Sequence, residues 1–302
     1  MADALPLQNP NATTAEIAQS LRDIRERKKR RANLLRHLFL IICSFVMVYP
    51  LLWLLASSLK PDAEIFGNLS LWPTNFDWAN YSEGWNALVV SFTQFFWNST
   101  LITVLAVIGN VISASFTAYA FARLEFAGKN FWFALMMMTL MIPYHIVLIP
   151  QYILFLKMGW VDTYLPLIVP RFLATDAFFI FLMVQFFRQL PRELDEAAMI
   201  DGCSPFKIYW AIILPLSVPA MATAAIFSFI GIWQDFLPPL VYLNDVKDYT
   251  VPLALRMFSS QDSVSLYGPM FAMSVLSIIP IFFFFVVFQR LIVQGIAMSG
   301  LK

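Results

Sequence analysis

The sequence contains no G-x-x-x-x-G-K-[ST] phosphate loop, no G-x-G-x-x-G, no H-E-x-x-H and no G-x-S-x-G. Those short patterns seat a nucleotide's phosphates, a dinucleotide, a catalytic zinc or a nucleophilic serine. Without them the chain has no catalytic residues to nominate, and any work it does against a gradient draws its energy from elsewhere. Histidine is confined to His37 and His145, and an isolated histidine in an apolar run serves helix packing more often than general-base chemistry. Two cysteines, Cys43 and Cys203, make neither a disulfide framework nor a thiolate metal site, so both read as free thiols and no metal is expected. Charge is thin too: Asp, Glu, Lys and Arg make up 13% of the 302 residues, about half the share in a soluble domain.

Apolar bulk takes the place of charge. Hydrophobic residues make up 60% of the chain and Phe occurs 30 times, the balance of an integral membrane protein. Six stretches are long enough to cross about 30 Å of hydrocarbon at about 1.5 Å per residue. They run from Leu35 to Leu59, Phe95 to Phe121, Phe131 to Leu156, Leu165 to Phe187, Tyr209 to Leu237 and Pro269 to Leu291. The expected fold class is therefore all-α and polytopic. Residues 1–34 form a polar tail, and residues 35–302 form the membrane domain, whose first span reads as an uncleaved anchor rather than a signal peptide.

Lys and Arg near the span ends set the orientation. With the N-terminus in the cytoplasm, fifteen of the twenty basic residues fall on the cytoplasmic side, from Arg22 and the Arg27–Arg31 run through Arg123, Lys129, Arg188, Arg192 and Lys207 to Arg290 and Lys302. The other side keeps Lys60, Lys157, Arg171, Lys247 and Arg256, with acidic residues such as Asp62, Glu64, Asp162 and Asp245. Both termini are expected in the cytoplasm. Thr13-x-x-Glu16 is a candidate capping box for a short amphipathic helix in the tail. The basic run behind it reads as a topology signal in contact with lipid headgroups, and no nucleic-acid partner is expected. On the outer segment, Trp72, Trp78, Tyr81, Trp85 and Trp97 suit a membrane interface, and the segment is too short for a separate binding domain.

Polar residues inside spans are costly and face the bundle interior or a cavity. Asn98, Ser99, Thr103, Asn110, Ser113 and Thr117 lie near one face of the second span, and Asp176 is the one acidic residue well inside a span. Small hydroxyl side chains also pair helices directly, so Asn110, Gln185 and Gln234 are the better candidates for a polar path. Pro143 and Pro150 interrupt the third span, Pro166 and Pro170 mark the start of the fourth, and Pro215 with Pro219 disturbs the start of the fifth. Helices broken in this way bend or line cavities.

The most specific local pattern lies between the fourth and fifth spans. Pro191 opens a short helix, Gly202 closes it in a left-handed conformation, and Ser204 with Pro205 starts a second helix. Glu196 charges the first helix, while Ala197 and Ala198 keep its surface low enough for a close approach. That is the shape of a docking peg. From Glu196-Ala197-Ala198 through Gly202 to Ile212, Leu214 and Pro215, seven positions in twenty match the EAA motif, E-A-A, three residues, G, nine residues, I-x-L-P. The chain thus resembles the permeases of ATP-binding-cassette (ABC) importers.

The likeness extends over most of the chain and points to the carbohydrate-uptake branch with its MalG-like permeases. It is carried by Tyr49-Pro50-Leu51, Asn98-Ser99, Ala118-Tyr119-Ala120-Phe121-Ala122-Arg123, Ile142-Pro143, Thr163-Tyr164, Gln185-Phe186-Phe187 and Pro191-x-Glu193-Leu194. Trp233-Gln234-Asp235-Phe236 departs from the more usual Trp-Asn-Asp/Glu-Phe. The resemblance implies a type I ABC importer fold with six transmembrane helices and a coupling loop at 188–215. It also implies a second, homologous permease subunit, two copies of a cytoplasmic ABC ATPase that bind the ATP and Mg, and an extracytoplasmic solute-binding protein. The setting would be a bacterial or archaeal cytoplasmic membrane, and the default cargo a di- or oligosaccharide. Glu196 would pair with a basic residue in the ATPase cleft, Ala197, Ala198 and Gly202 would permit close packing, and Asp201 and Leu194 would flank the contact. A proton-coupled carrier would need more intramembrane carboxylates than Asp176, and a purely structural six-span subunit gives no reason for the peg.

Overall fold

A computed structural model of the chain describes residues 14–68, 70–259 and 266–299, with side chains for 25–68, 70–259 and 266–291. All regular structure among the described residues is helical. The chain divides into two units, residues 1–56 and 57–302. The described residues of the first lie in a single helix, α1, whose bounds are Thr14–Ser57. Thr13 of the candidate capping box lies outside the described residues. The helix of the tail runs unbroken into the first span, because no Gly or Pro occurs in α1 before Pro50.

The second unit opens with α2 (Asp62–Gly67) and α3 (Ala79–Asn86), which belong to a folded segment ahead of the next long helix. Lys60 is wholly buried there. Its ammonium donates to the carbonyls of Asn68 at 3.0 Å and Ser70 at 2.6 Å, while Asn80 Nδ2 donates to its carbonyl at 2.9 Å. Glu64 closes the same loop by accepting from the Thr74 amide at 2.9 Å and the Thr74 hydroxyl at 2.6 Å. Trp72 and Trp78 are exposed.

Helix α4 (Phe92–Arg123) is the hub. It packs on α8 (Ala177–Gln189) and α12 (Val218–Trp233), and α12 packs in turn on the long helix Tyr267–Ser299. Midway along α4 the buried residues are mostly small, with Ala106, Gly109, Ala114 and Ala118, whereas Val104, Leu105, Ile108, Ile112 and Phe116 are exposed. Such small residues let helices approach closely where lipid supplies no hydrophobic drive between them. A Cβ at Gly109 would collide with the Phe172 ring. Two cores flank the hub. One gathers Ala118, Met183, Val184, Phe187, Tyr209 and Ile213, and the other Phe92, Phe95, Phe229, Trp233, Phe258 and Met273.

Four helical runs are long and apolar enough to cross a membrane: Arg25–Ser57, Phe92–Arg123, Leu165–Gln189 and Tyr267–Leu291. Two bent pairs raise the number to six if each counts as one span. Helices α5 (Lys129–Thr139) and α6 (Tyr144–Lys157) meet at 99°, with Pro143 at the start of α6. Pro150 sits inside α6 without breaking it. The second pair, Pro205–Leu216 and Val218–Trp233, meets at 75° around Ser217. In the fourth span the short helix α7 (Leu165–Ile168) passes into a 3-10 turn, Val169–Leu173, and Ala174 adopts φ 55° before α8 begins.

Candidate functional site

Helix α9 (Glu193–Ile200) forms the peg. Glu193, Asp195 and Glu196 crowd its first turn, where carboxylates complement the helix dipole. At the other end the Cys203 amide donates to the Ala198 carbonyl at 2.9 Å and the Gly202 amide to the Met199 carbonyl at 3.0 Å. With Gly202 at φ 78°, this is a Schellman closure. Ser204 then caps α10 (Pro205–Ile208), its hydroxyl accepting from the Lys207 amide at 3.3 Å. A π-turn at Tyr209–Ile213 and the short α11 (Leu214–Leu216) lead on to α12.

The last turn of α4 sews this segment in place. Tyr119 donates its hydroxyl proton to the Pro205 carbonyl at 2.9 Å. One turn on, Arg123 donates to the Leu190 carbonyl at 2.8 Å and pairs with Asp195 at 3.2 Å. The pair is buried, the Arg123 side chain being 3% exposed and that of Asp195 14%. Sequence reasoning counted Arg123 as a topology charge and passed over Asp195. The available signal was the four-residue spacing of Tyr119 and Arg123, which puts both on one face at the helix end.

The peg's outward face differs in part from the expected one. Glu196, Ala197, Asp201 and Gly202 are exposed, as is Leu194. Ala198 is not part of that face: it is 7% exposed and packs into the chain's own core with Phe187, Ile208 and Tyr209. Met199 and Ile200, 54% and 87% exposed, complete the outward apolar surface instead.

A separate cavity of about 540 Å³ opens where the spans are broken. Thr139 and Tyr144 reach it from the bend between α5 and α6, Arg171 and Asp176 from the turn before α8, and Asp235 from the end of α12. The Arg171 guanidinium lies 3.0 Å from the Asp176 carboxylate. Carbonyls freed by the break are recaptured, that of Arg171 by the Ser113 hydroxyl at 2.8 Å and that of Pro170 by the Thr175 hydroxyl at 2.9 Å. Irregular backbone at membrane depth is tolerated where it is satisfied in this way or lines a cavity.

None of the three candidates for a polar path lines that cavity. Asn110 is 1% exposed and donates to the Ser228 hydroxyl at 3.0 Å, joining α4 to α12. Gln185 and Gln234 lie on exposed positions. Of the polar face on α4, Ser99 and Thr103 reach the cavity. Asn98 holds the carbonyls of Lys247 and Tyr249 at 2.7 and 3.0 Å, which is structural. Hydrogen bonds between elements thus account for most of the face, and the cavity's charges come from residues beside helix breaks.

Residues 109–298 match the family described as "Binding-protein-dependent transport system inner membrane component". The arabinooligosaccharides transport system permease protein AraQ of Halalkalibacterium halodurans is 34% identical, with the alignment covering 86% of this chain and 92% of the relative. The trehalose/maltose transport system permease protein MalG of Thermococcus litoralis is 32% identical, covering 90% and 99%. In fold, the chain is similar to one from a bacterial ABC transporter involved in the import of the acidic polysaccharide alginate. That match has a TM-score of 0.76 at 22% identity and covers 87% of this chain and 97% of the other. With its apolar helices, its broken spans and a matched segment that includes the whole peg, the chain is a multi-pass membrane protein and belongs to the family of binding-protein-dependent transport system inner membrane components, the permeases of ABC importers.

Proposed function

We propose that this chain is one of two permease subunits of an ATP-driven sugar importer in a cytoplasmic membrane, and that α9 is the element through which the ATPase moves it. The observation that carries this reading is the fastening of α9. A buried ion pair and two hydrogen bonds to backbone carbonyls fix the peg to the end of the hub helix α4, so a displacement of the peg is transmitted as a displacement of α4. ATP binding can reverse the accessibility of the path only if such an element has two discrete positions that both sites bias. The outward surface of Glu196, Ala197, Met199 and Ile200 is the face offered to the ATPase cleft, with Glu196 meeting a basic residue there. ATP and Mg belong to the ATPase subunits, and a solute-binding protein delivers cargo on the opposite side.

The cargo follows from the relatives' names, which specify arabinooligosaccharides in one case and trehalose and maltose in another. A di- or oligosaccharide is the reading for this chain, with the 540 Å³ cavity as its half of the path. The test is a complex of both permease subunits, the ATPase and the binding protein, reconstituted in proteoliposomes. Sugar and binding protein together should stimulate ATP hydrolysis and drive accumulation. Accumulation that follows a proton gradient with the ATPase omitted would refute the proposal.

A further inference from the structure

A second hollow, of about 260 Å³, lies beside the peg where α4 and α8 end and α5 begins. Arg123, Lys129, Arg188 and Arg192 line it, with Glu125 as the lining carboxylate. Glu125 is engaged by Lys129 at 3.0 Å, and Asp195 by Arg123. Four cations against these two carboxylates leave the hollow with a net charge of two positive. Arg188 and Arg192 are exposed, and the Arg188 guanidinium rests over the Phe133 ring at 5.3 Å, which holds it at the rim.

We propose that this hollow seats the phosphate of an anionic phospholipid headgroup. Chemistry shared with any phosphate is the cluster of guanidinium donors and the net positive charge. What favours a lipid is position: the hollow stands at the polar ends of apolar helices, and the neighbouring segment turns Phe126, Phe131 and Trp132 outward at 40%, 65% and 53% exposure. Aromatic side chains of that kind mark the headgroup level of a bilayer, so acyl chains have an apolar surface beside the phosphate seat. The site is independent of which cargo the protein carries.

The test uses the assembled transporter in nanodiscs of phosphatidylcholine mixed with a phosphatidylglycerol that bears a photo-cross-linker near its phosphate. In the wild type the label should fall on peptides spanning 122–133 and 186–192. Arg188→Gln should weaken labelling there by roughly fivefold, the effect of losing one basic residue at an anionic surface, and Arg188→Lys should keep most of it. Undiminished labelling in Arg188→Gln overturns the proposal. So does label confined to other parts of the wild-type chain, the result expected if an acidic face of the ATPase fills the hollow. Competition by inorganic phosphate at constant lipid composition would reassign the seat to a soluble anion and likewise overturn it. The wild-type labelling pattern needs no variant, so a misfolded substitution does not rescue the idea.

Discussion

Arg123 and Asp195 bear the largest single-residue consequence. Asp195→Asn removes the counter-charge of a guanidinium that is 3% exposed, a change expected to cost about 3 kcal/mol because a lone buried charge is worse than none. Replacing both residues with apolar ones, Arg123→Met with Asp195→Leu, should cost less than the two single changes added together. Thermal midpoints of the detergent-purified variants measure both. Glu64 gives a pH-dependent case. Hydrogen bonds from Thr74, chiefly through its hydroxyl, hold the Glu64 carboxyl below the usual carboxylate range. A depressed folded value contributes stability at pH above the unfolded value and loses it as pH falls through the folded value. Proteolysis within 62–74 should therefore accelerate only in acid, below the ordinary carboxylate range of about 4, and Glu64→Gln should show less of that acceleration. At this scale the sequence was only partly legible. Glu196 and Gly202 were readable because a spaced motif names them, whereas Asp195 is one carboxylate among several and only the folded end of α4 distinguishes it.

At the scale of the element, two glycines separate backbone demands from packing demands. Gly202 has φ 78° and nothing within 4 Å of where a Cβ would lie. Gly202→Asp should then cost the isolated subunit only about 1 kcal/mol of left-handed strain, leaving its thermal midpoint nearly intact. Sugar-stimulated ATP hydrolysis by the complex should nevertheless be lost, since the new side chain stands on the face proposed to dock the ATPase. Normal stimulation at normal expression would remove Gly202 from the interface. Gly109 is the reverse case, because a side chain there strikes Phe172 and must push the turn Val169–Leu173 away from α4. Gly109→Val is expected to lower stability by about 1–3 kcal/mol, whereas Gly231→Ala, in open space on α12, should be neutral or slightly stabilising in the same melt. The helices and the positions of most breaks were legible from apolar run length and proline. Their sharpness was not: a proline marks Pro143 and Pro150 alike, yet only the first stands at a 99° bend, because neighbouring segments decide which interruption is accommodated inside a helix.

At the scale of the whole molecule, the prediction concerns assembly. Glu196→Ala removes one charge from an outward face that also carries Met199 and Ile200, so it should weaken coupling by about 1–3 kcal/mol rather than abolish it. The measurable outcome is a reduced but detectable sugar-stimulated ATPase rate. Ile200→Asp places a charge at a position 87% exposed in the subunit. It should leave subunit folding unchanged and break co-purification with the ATPase, because a desolvated unpaired charge at an interface core is among the most damaging changes. The family was legible from the peg alone. The cavity was not, since a hollow assembled from three helix breaks has no contiguous signature, and Arg171, Asp176 and Asp235 meet only after folding.

Lys60 has a consequence for how the chain's two faces are told apart in practice. Amine-reactive reagents applied from outside a cell report a lysine as external only if they can touch it, and this one is wholly enclosed with its ammonium on two carbonyls. It should remain unmodified whichever side of the membrane it faces. Lys157 and Lys247, both exposed, are the reporters whose labelling reads the sidedness of the protein.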